Sequence, residues 1–288
     1  MIIEKELKNI TIRESGRSSD YIFPTILQNC FGSCQYCYAA RHNPDDFYTN
    51  IKVSTNLDKI INKVENYKVN VVKPNQTHNK FVTWDIAVNS DIVSALHLFN
   101  WEKLFDYFKY SERDLGTFAT KFINNKLLRY NAERKIRVRL TLTTSKVNER
   151  LEKNTANILK RINFINKLHD AGYEVHVNFS PVIYYNGWLG DYTKLFRLLN
   201  LSISNEVKEQ LKCEVIFLTH NNNLHTYNKN NRLEYENILW IPELQENKVS
   251  KFGGNNVRYQ HIFKNTIIGQ FKELINRELP YCEIRYIF

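Results

Sequence analysis

The chain is short of the residues that punctuate, staple or anchor a polypeptide. Its 288 residues include only 9 glycines, 6 prolines and 5 cysteines. No stretch is rich enough in Gly, Pro or Ser to read as a linker, and no internal repeat is visible. One domain over residues 1–288 is the expectation. No run approaches the roughly 18 apolar residues that a membrane-spanning helix needs. The opening MIIEKELKNITIRES mixes charges with short apolar runs, unlike a signal peptide. A cytoplasmic protein with no membrane partner is expected. Five cysteines, an odd number with three crowded together, argue against a disulfide framework. Acid is also scarce: 30 Asp and Glu against 40 Lys and Arg give a formal net charge of +10. That sign suits a polyanion such as nucleic acid. It is equally what a Lys- and Asn-rich composition gives with no function attached.

What is present is a chain able to bury a core, 43% hydrophobic and 13% aromatic. Six runs read as strands: 21–29, 81–88, 117–122, 137–143, 174–182 and 214–220. Helical patterns separate them. Residues 54–67 place Leu57, Ile60, Ile61 and Val64 at helical spacing, and residues 156–173 do the same with Ile158, Leu159, Ile162, Ile165 and Leu168 before a stop at Gly172. Further helices are expected over 101–110 and 192–200. Such alternation implies parallel strands joined by crossover helices. Six units in a chain too short for eight predict a partial (β/α)6 barrel of the TIM type over about 21–220. A C-terminal extension follows over about 221–288. The Asn-rich stretch 220–232 reads as a loop or lid, KFGGNNVRY (251–259) as a hairpin, 261–279 as a helix and 281–288 as a closing strand.

The chemistry concentrates in QNCFGSCQYCYAA, residues 28–40. Cys30, Cys34 and Cys37 have the spacing C-x3-C-x2-C, directly after the first expected strand. Thiolates favour iron–sulfur clusters, zinc and copper(I). A 4Fe–4S cube normally takes four cysteines. Three leave one iron open to a chelating ligand, and the amine and carboxylate of S-adenosylmethionine fit. One electron from the cluster then cleaves the sulfonium and yields a 5′-deoxyadenosyl radical. The rival reading is a structural zinc site completed by His42. In a parallel barrel, chemistry sits at the C-terminal ends of the strands, where the cysteine loop, Asn89-Ser90-Asp91, Lys121, Thr141, Ser180-Pro181 and His220 are expected to form one mouth.

The cysteine spacing resembles the signature of the radical SAM superfamily. From about residue 21 onward the chain resembles spore photoproduct lyases. Cys34-Gln35-Tyr36-Cys37-Tyr38, Ser90-Asp91-Ile92-Val93 with His97-Leu98, Thr120-Lys121-Phe122, Ala171-Gly172-Tyr173, and Pro181 with Gly187-Trp188, Tyr192 and Leu195-Phe196 carry the resemblance. It implies a lyase that opens a crosslinked thymine pair in DNA, fed by an electron donor such as a flavodoxin or ferredoxin. By position, Cys30, Cys34 and Cys37 would ligate the cluster. Ser90, Asp91, Lys121 and Thr141 would bind S-adenosylmethionine, and Tyr36 and Tyr38 would relay a hydrogen atom. Lys251, Arg258 and Tyr259, around the hairpin, would contact nucleic acid.

One position departs from the pattern. The family carries a hydrogen-returning cysteine two residues before the matched serine, and here Val88 stands there. Either Cys213, Cys282 or a tyrosine ends the reaction, or the substrate is another one, RNA or a peptide. A zinc-stabilised nucleic-acid-binding protein without catalysis is the reading outside enzymes. Arg134, Lys135, Arg137 and Arg139 form a second basic run. Its i, i+2 spacing sets Arg137 and Arg139 on one side of a strand, toward a barrel interior as readily as toward phosphates.

Overall fold

The computed structural model describes residues 1–231, 233–249 and 255–288, with the side chain of His42 excepted. Its main sheet has eight strands. In spatial order they are Glu283–Ile287, Lys212–Phe217, Glu174–Val182, Ile136–Thr141, Asp114–Thr120, Val82–Asp85, Tyr21–Ile22 and Arg13–Glu14. Every neighbouring pair is parallel except the last, where Arg13–Glu14 runs antiparallel to Tyr21–Ile22. The six strands from Tyr21–Ile22 to Lys212–Phe217 therefore follow sequence order as a partial barrel, and the C-terminal strand adds a further parallel member beside the sixth.

Arg139 proves the curl. It sits on the fourth barrel strand, yet its guanidinium reaches Asp85 on the second at 2.6 Å and Glu214 on the sixth at 3.0 Å. Those strands are each two places away, so only a concave face can bring both to one side chain. Alternation along the strand sends Arg137, Arg139 and Thr141 to that inner face and Val138 and Leu140 outward. Both outward residues are fully buried, beneath the helices. Trp101–Tyr110 packs there through Leu104, Phe105 and Phe108. Gly116 makes the contact possible, since a Cβ would stand 2.8 Å from Phe108 Cδ2. Helix Ile158–Asp170 starts where the Asn157 side chain accepts from Lys160 N and stops before Gly172 at φ +83°.

The gap between the sheet's two outer edges is bridged by side chains. Ser18 Oγ lies 2.7 Å from Tyr286 Oη and 3.0 Å from Glu214 Oε2, and Arg285 donates to the carbonyls of Ser18 and Arg17.

Three expectations need correction. The strand expected over 21–29 breaks after Ile22, and Leu27–Gln28 joins a separate sheet with Ile51–Ser54 and Ile2–Lys5. Pro24 has no N–H to continue the ladder. The Asn-rich segment expected over 220–232 as a loop or lid is regular structure over its described residues 220–230. It forms strand Thr219–Asn221 and helix Asn222–Asn230, because Asn221 caps the helix by accepting from Asn223 N and Leu224 N. The hairpin expected over 251–259 begins earlier: it pairs Gln245–Val249 with Asn255–Tyr259, so Asn255 and Asn256 lie in its second strand. Lys251, Gly253 and Gly254 fall outside the described residues. Among those described, no helix is long and apolar enough to cross a membrane.

Candidate functional site

The cysteine loop leaves the second of the short strands at Gln28 and turns at Asn29 and Ser33, both at positive φ. Asn29 is pinned by its side chain, which donates to Asn50 O at 2.6 Å. Tyr48 Oη donates to Cys34 O at 2.9 Å. Gly32 fits under the loop where a Cβ would touch Cys30 Sγ at 3.4 Å and Phe122 at 3.5 Å. All five cysteines are free thiols. Burial pushes the Cys30 thiol up to about 12 and also raises Cys34 and Cys37. A bound metal reverses this, because a coordinating thiol is deprotonated outright. Three soft donors on one loop suit an iron–sulfur cluster.

The expected neighbours gather around this loop. Ser90 Oγ donates to Asn29 O at 2.5 Å, tying the segment after the second barrel strand to the residue before Cys30. Asp91 is buried and its carboxylate is already engaged. Oδ1 accepts from Thr120 Oγ1 at 2.7 Å and Val93 N at 3.1 Å, and Oδ2 accepts from Lys121 N at 2.7 Å. Asp91 thus clamps the ends of the second and third strands together, which a helix-capping aspartate suffices to do. Lys121 carries its ammonium 5.6 Å from the Tyr36 ring centroid. Thr141 closes the fourth strand and stands in register with Asn178, whose buried Oδ1 finds no partner among the described residues.

The two tyrosines diverge. Tyr36 turns into the core, where its hydroxyl donates to Glu152. Glu152 pairs with Arg161 at 2.6 Å, both side chains being fully buried. Burial alone would raise the Glu152 carboxyl, but Arg161 and Lys121 outweigh it and hold the group down at about 2. Tyr38 instead keeps 55% of its surface exposed, and its hydroxyl donates to the carbonyl of Val88. Cys213 and Cys282 are buried, and Cys213 is the second residue of the sixth strand. That is the end of the barrel opposite the mouth, so neither thiol can serve there.

Sequence reasoning reads 220–232 as a loop or lid but misses that this lid is a helix lying over the cysteine loop. In helix Asn222–Asn230, Leu224 packs with Ala40 and Phe47, beside Cys30 and Cys37. Asn228 Nδ2 donates to Gln35 O at 3.0 Å. It also missed Glu152 and Arg161, whose partners are set by the fold and leave no local motif.

The expected nucleic-acid residues fare unevenly. Arg258 is half-exposed and pairs with Glu246 across the hairpin at 2.9 Å. Tyr259 turns inward instead: it is 1% exposed, its hydroxyl accepts from Tyr184 N at 2.9 Å, and its ring meets Phe263. Alternation along the strand puts it on the face opposite Arg258. The run at 134–139 is no phosphate surface either. Arg137 and Arg139 are inside the barrel, and Lys135 packs its ammonium 3.7 Å from the Phe81 ring centroid. A basic cluster unseen in the sequence joins Arg258 to Lys248, Lys264 and Arg17. Burial and then those three cations push Lys264 down to about 8. Arg17 lies 3.9 Å over the ring of Phe288, the C-terminal residue.

Comparison with known proteins agrees with this arrangement. The spore photoproduct lyase family model matches residues 3–288. The chain is 26% identical over 211 residues to the spore photoproduct lyase of Bacillus subtilis (strain 168), a match covering 73% of this chain and 59% of that protein. It is 25% identical over 274 residues to the spore photoproduct lyase of Clostridium acetobutylicum, covering 94% of this chain and 77% of that one. The chain therefore spans less than two thirds of the B. subtilis relative it matches. A solved spore photoproduct lyase complexed with dinucleoside spore photoproduct shares the fold at a TM-score of 0.86 and 21% identity, covering 100% of this chain and 82% of that chain. A double mutant with bound AdoMet and dinucleoside spore photoproduct gives the same TM-score at 20% identity, with the same coverage of both chains. On the match over residues 3–288, the chain belongs to the spore photoproduct lyase family.

Proposed function

We propose that this chain is a radical S-adenosylmethionine enzyme that opens a crosslinked thymine pair in DNA. The observation that carries the reading is the set of three free cysteines on one loop at the mouth of a partial barrel. The relatives it resembles are spore photoproduct lyases, and solved ones hold AdoMet and the dinucleoside lesion.

Cys30, Cys34 and Cys37 would hold a 4Fe–4S cluster with one iron free for the amine and carboxylate of S-adenosylmethionine. When bound, that pair supplies one-electron chemistry able to remove a hydrogen atom from the lesion. The Lys121 ammonium favours a carboxylate nearby. The unpartnered Asn178 Oδ1, beside Thr141, accepts a hydroxyl or amino hydrogen. Ser90 and Asp91 position the loops: their hydrogen bonds join the cysteine loop to the ends of the second and third strands. Tyr38 is the exposed group from which hydrogen returns to the product. Arg17, Lys248, Arg258 and Lys264 form the surface that meets the DNA backbone. A small iron–sulfur or flavin protein, a ferredoxin or flavodoxin, delivers the electron.

Anaerobic reconstitution tests this. A brown protein absorbing near ~400 nm that forms 5′-deoxyadenosine under reductant, and then opens the crosslink in UV-damaged oligonucleotide, is the expected outcome. A colourless protein retaining only zinc defeats it. Val88, in place of the family's thiol, favours one narrower alternative, a radical reaction on another base or on a peptide. Deoxyadenosine formation with the crosslink left intact would select that alternative.

A further inference from the structure

A cluster beside the cysteine loop takes no part in the chemistry above. His220, His225 and Glu236 each turn one ligand-type atom toward the others, and these atoms lie within 4.8 Å of one another. Glu236 Oε1 is 2.8 Å from His220 Nε2 and 2.7 Å from His225 Nδ1. The residues come from three separate elements: strand Thr219–Asn221, helix Asn222–Asn230 and helix Glu236–Leu239. The side chains of His220, His225 and Glu236 are 0%, 19% and 10% exposed, so the group is largely enclosed.

Two imidazoles and a carboxylate are the donor set of borderline divalent ions such as zinc. As they stand, the two contacts of 2.7 and 2.8 Å are hydrogen bonds. Donors around a tetrahedral ion with bonds of ~2.0–2.1 Å stand about 3.3 Å apart, so a bound ion would replace these hydrogen bonds and part the donors by about half an ångström. Glu236 and His225 are also held in orientation by neighbours, as metal ligands usually are, while the second ring nitrogen of His220, Nδ1, is buried without a partner among the described residues. His225 stacks on Trp240 with ring centroids 4.2 Å apart and planes at 14°. Glu236 Oε2 accepts from Asn228 Nδ2 at 2.6 Å. His220 is locked in a strand paired to the hairpin.

We propose that His220, His225 and Glu236 bind one zinc-class divalent ion, with water completing its coordination, and that the ion fastens helix Asn222–Asn230 over the cysteine loop. Asn228 is the connection. The same amide nitrogen that holds Glu236 also donates to Gln35 O, between Cys34 and Tyr36. An ion at this site therefore fixes the cover of the iron–sulfur loop without touching a cysteine.

The test uses the full chain with its iron–sulfur site loaded anaerobically, then equilibrated with Zn²⁺ and desalted. Zinc and iron per chain and the melting temperature are measured for the wild type, His225→Ala and Glu236→Gln. The wild type should keep one zinc per chain and melt higher with it. Each variant removes a ligand and should bind zinc at least about 100-fold more weakly, beyond the ~10–100-fold that loss of a residue orienting a ligand costs, at unchanged iron content. The Gln variant preserves the shape of Glu236 and guards against a folding artefact in the other. Equal zinc in all three proteins would assign the metal to the cysteines and overturn the proposal, as would a wild type that keeps none. If the radical assignment were wrong, iron would be missing from all three alike and the zinc difference would remain.

Discussion

The phenol of Tyr38 donates its hydrogen bond to the backbone carbonyl of Val88. By the sequence resemblance, Val88 stands where a hydrogen-returning cysteine is expected, so the exposed tyrosine is anchored to the segment where that thiol would lie. Cys213 and Cys282 lie at the wrong end of the barrel to replace it.

Tyr38→Phe is therefore expected to separate the two halves of the reaction. Formation of 5′-deoxyadenosine should persist, because no cluster ligand changes. Intact thymine product should fall more than about tenfold, with adducts or strand products in its place. Full product yield from the Phe variant would remove Tyr38 from the hydrogen path. Tyr36→Phe should act differently. Its hydroxyl is committed to Glu152 inside the core, so the variant should lose stability while the product spectrum stays clean.

Glu152 gives the fold an acid limit. Its carboxyl is held at about 2, against 4.5 in the free residue. A depressed carboxylate adds stability that is complete above about pH 4.5 and is lost as the pH falls toward 2. The full effect is on the order of 3 kcal/mol. Denaturant titrations of the wild type between pH 6 and pH 2.5 should show a steep fall. Glu152→Gln should start lower by about 3–5 kcal/mol, since Arg161 is left buried without its partner, and should show a flatter acid limb. An acid limb of wild-type steepness in the variant would place the proton uptake elsewhere. Glu174 is also held at about 2, by His176 and Arg137 against its own burial. Together with Asp46, held at about 2 chiefly by Lys52, and Glu214, lowered against its burial by Arg139 and Arg285, it contributes to the slope that remains.

What the sequence made legible follows from how local each signal was. The cysteine spacing lies within eight residues and needs no fold to be read. The helix over 101–110 is bounded as expected, at Trp101–Tyr110, because Asn100 caps it and Leu104, Phe105 and Phe108 mark its face. Alternation puts Arg137 and Arg139 on one side of their strand, but only the partners Asp85 and Glu214 on other strands show that side to be the inner one. The helix at Asn222–Asn230 was hidden because asparagines usually signal loops, and only Asn221 and Leu224 reveal the cap and the buried face. The basic cluster was invisible for another reason. Arg17 and Lys264 are 247 positions apart by number, and the strand arrangement alone brings them to the hairpin.

That cluster predicts a pH-dependent grip on DNA. Lys264 is held down at about 8 by burial and by Arg258, Lys248 and Arg17, against a smaller opposing pull from Glu246. In the free chain it sheds its charge as the pH rises through 8, and a phosphate at the cluster would raise it again. Affinity for an undamaged duplex should therefore weaken from pH 7 to pH 9. Lys264→Gln should flatten that dependence and reduce the slope of log affinity against log salt by about 1. An unchanged salt slope would move the DNA to another face.

The last prediction restores what the chain lacks. Val88→Cys puts a thiol two residues before Ser90, while the carbonyl that receives Tyr38 belongs to the backbone and is kept. Valine is partly buried here, and cysteine is smaller, so the change needs no repacking. A thiol gives up hydrogen to a carbon radical far more readily than an aliphatic side chain does. In the Tyr38→Phe background, Val88→Cys should recover intact thymine product by about tenfold, equivalent to ~1.4 kcal/mol in the barrier to hydrogen return. Deuterium from solvent, carried by the exchangeable thiol, should then appear in the thymine product. If the double variant stays as poor as Tyr38→Phe, the lesion does not rest near residue 88, and the pose inferred from the Tyr38 contact is wrong even where the cluster and cofactor assignments hold.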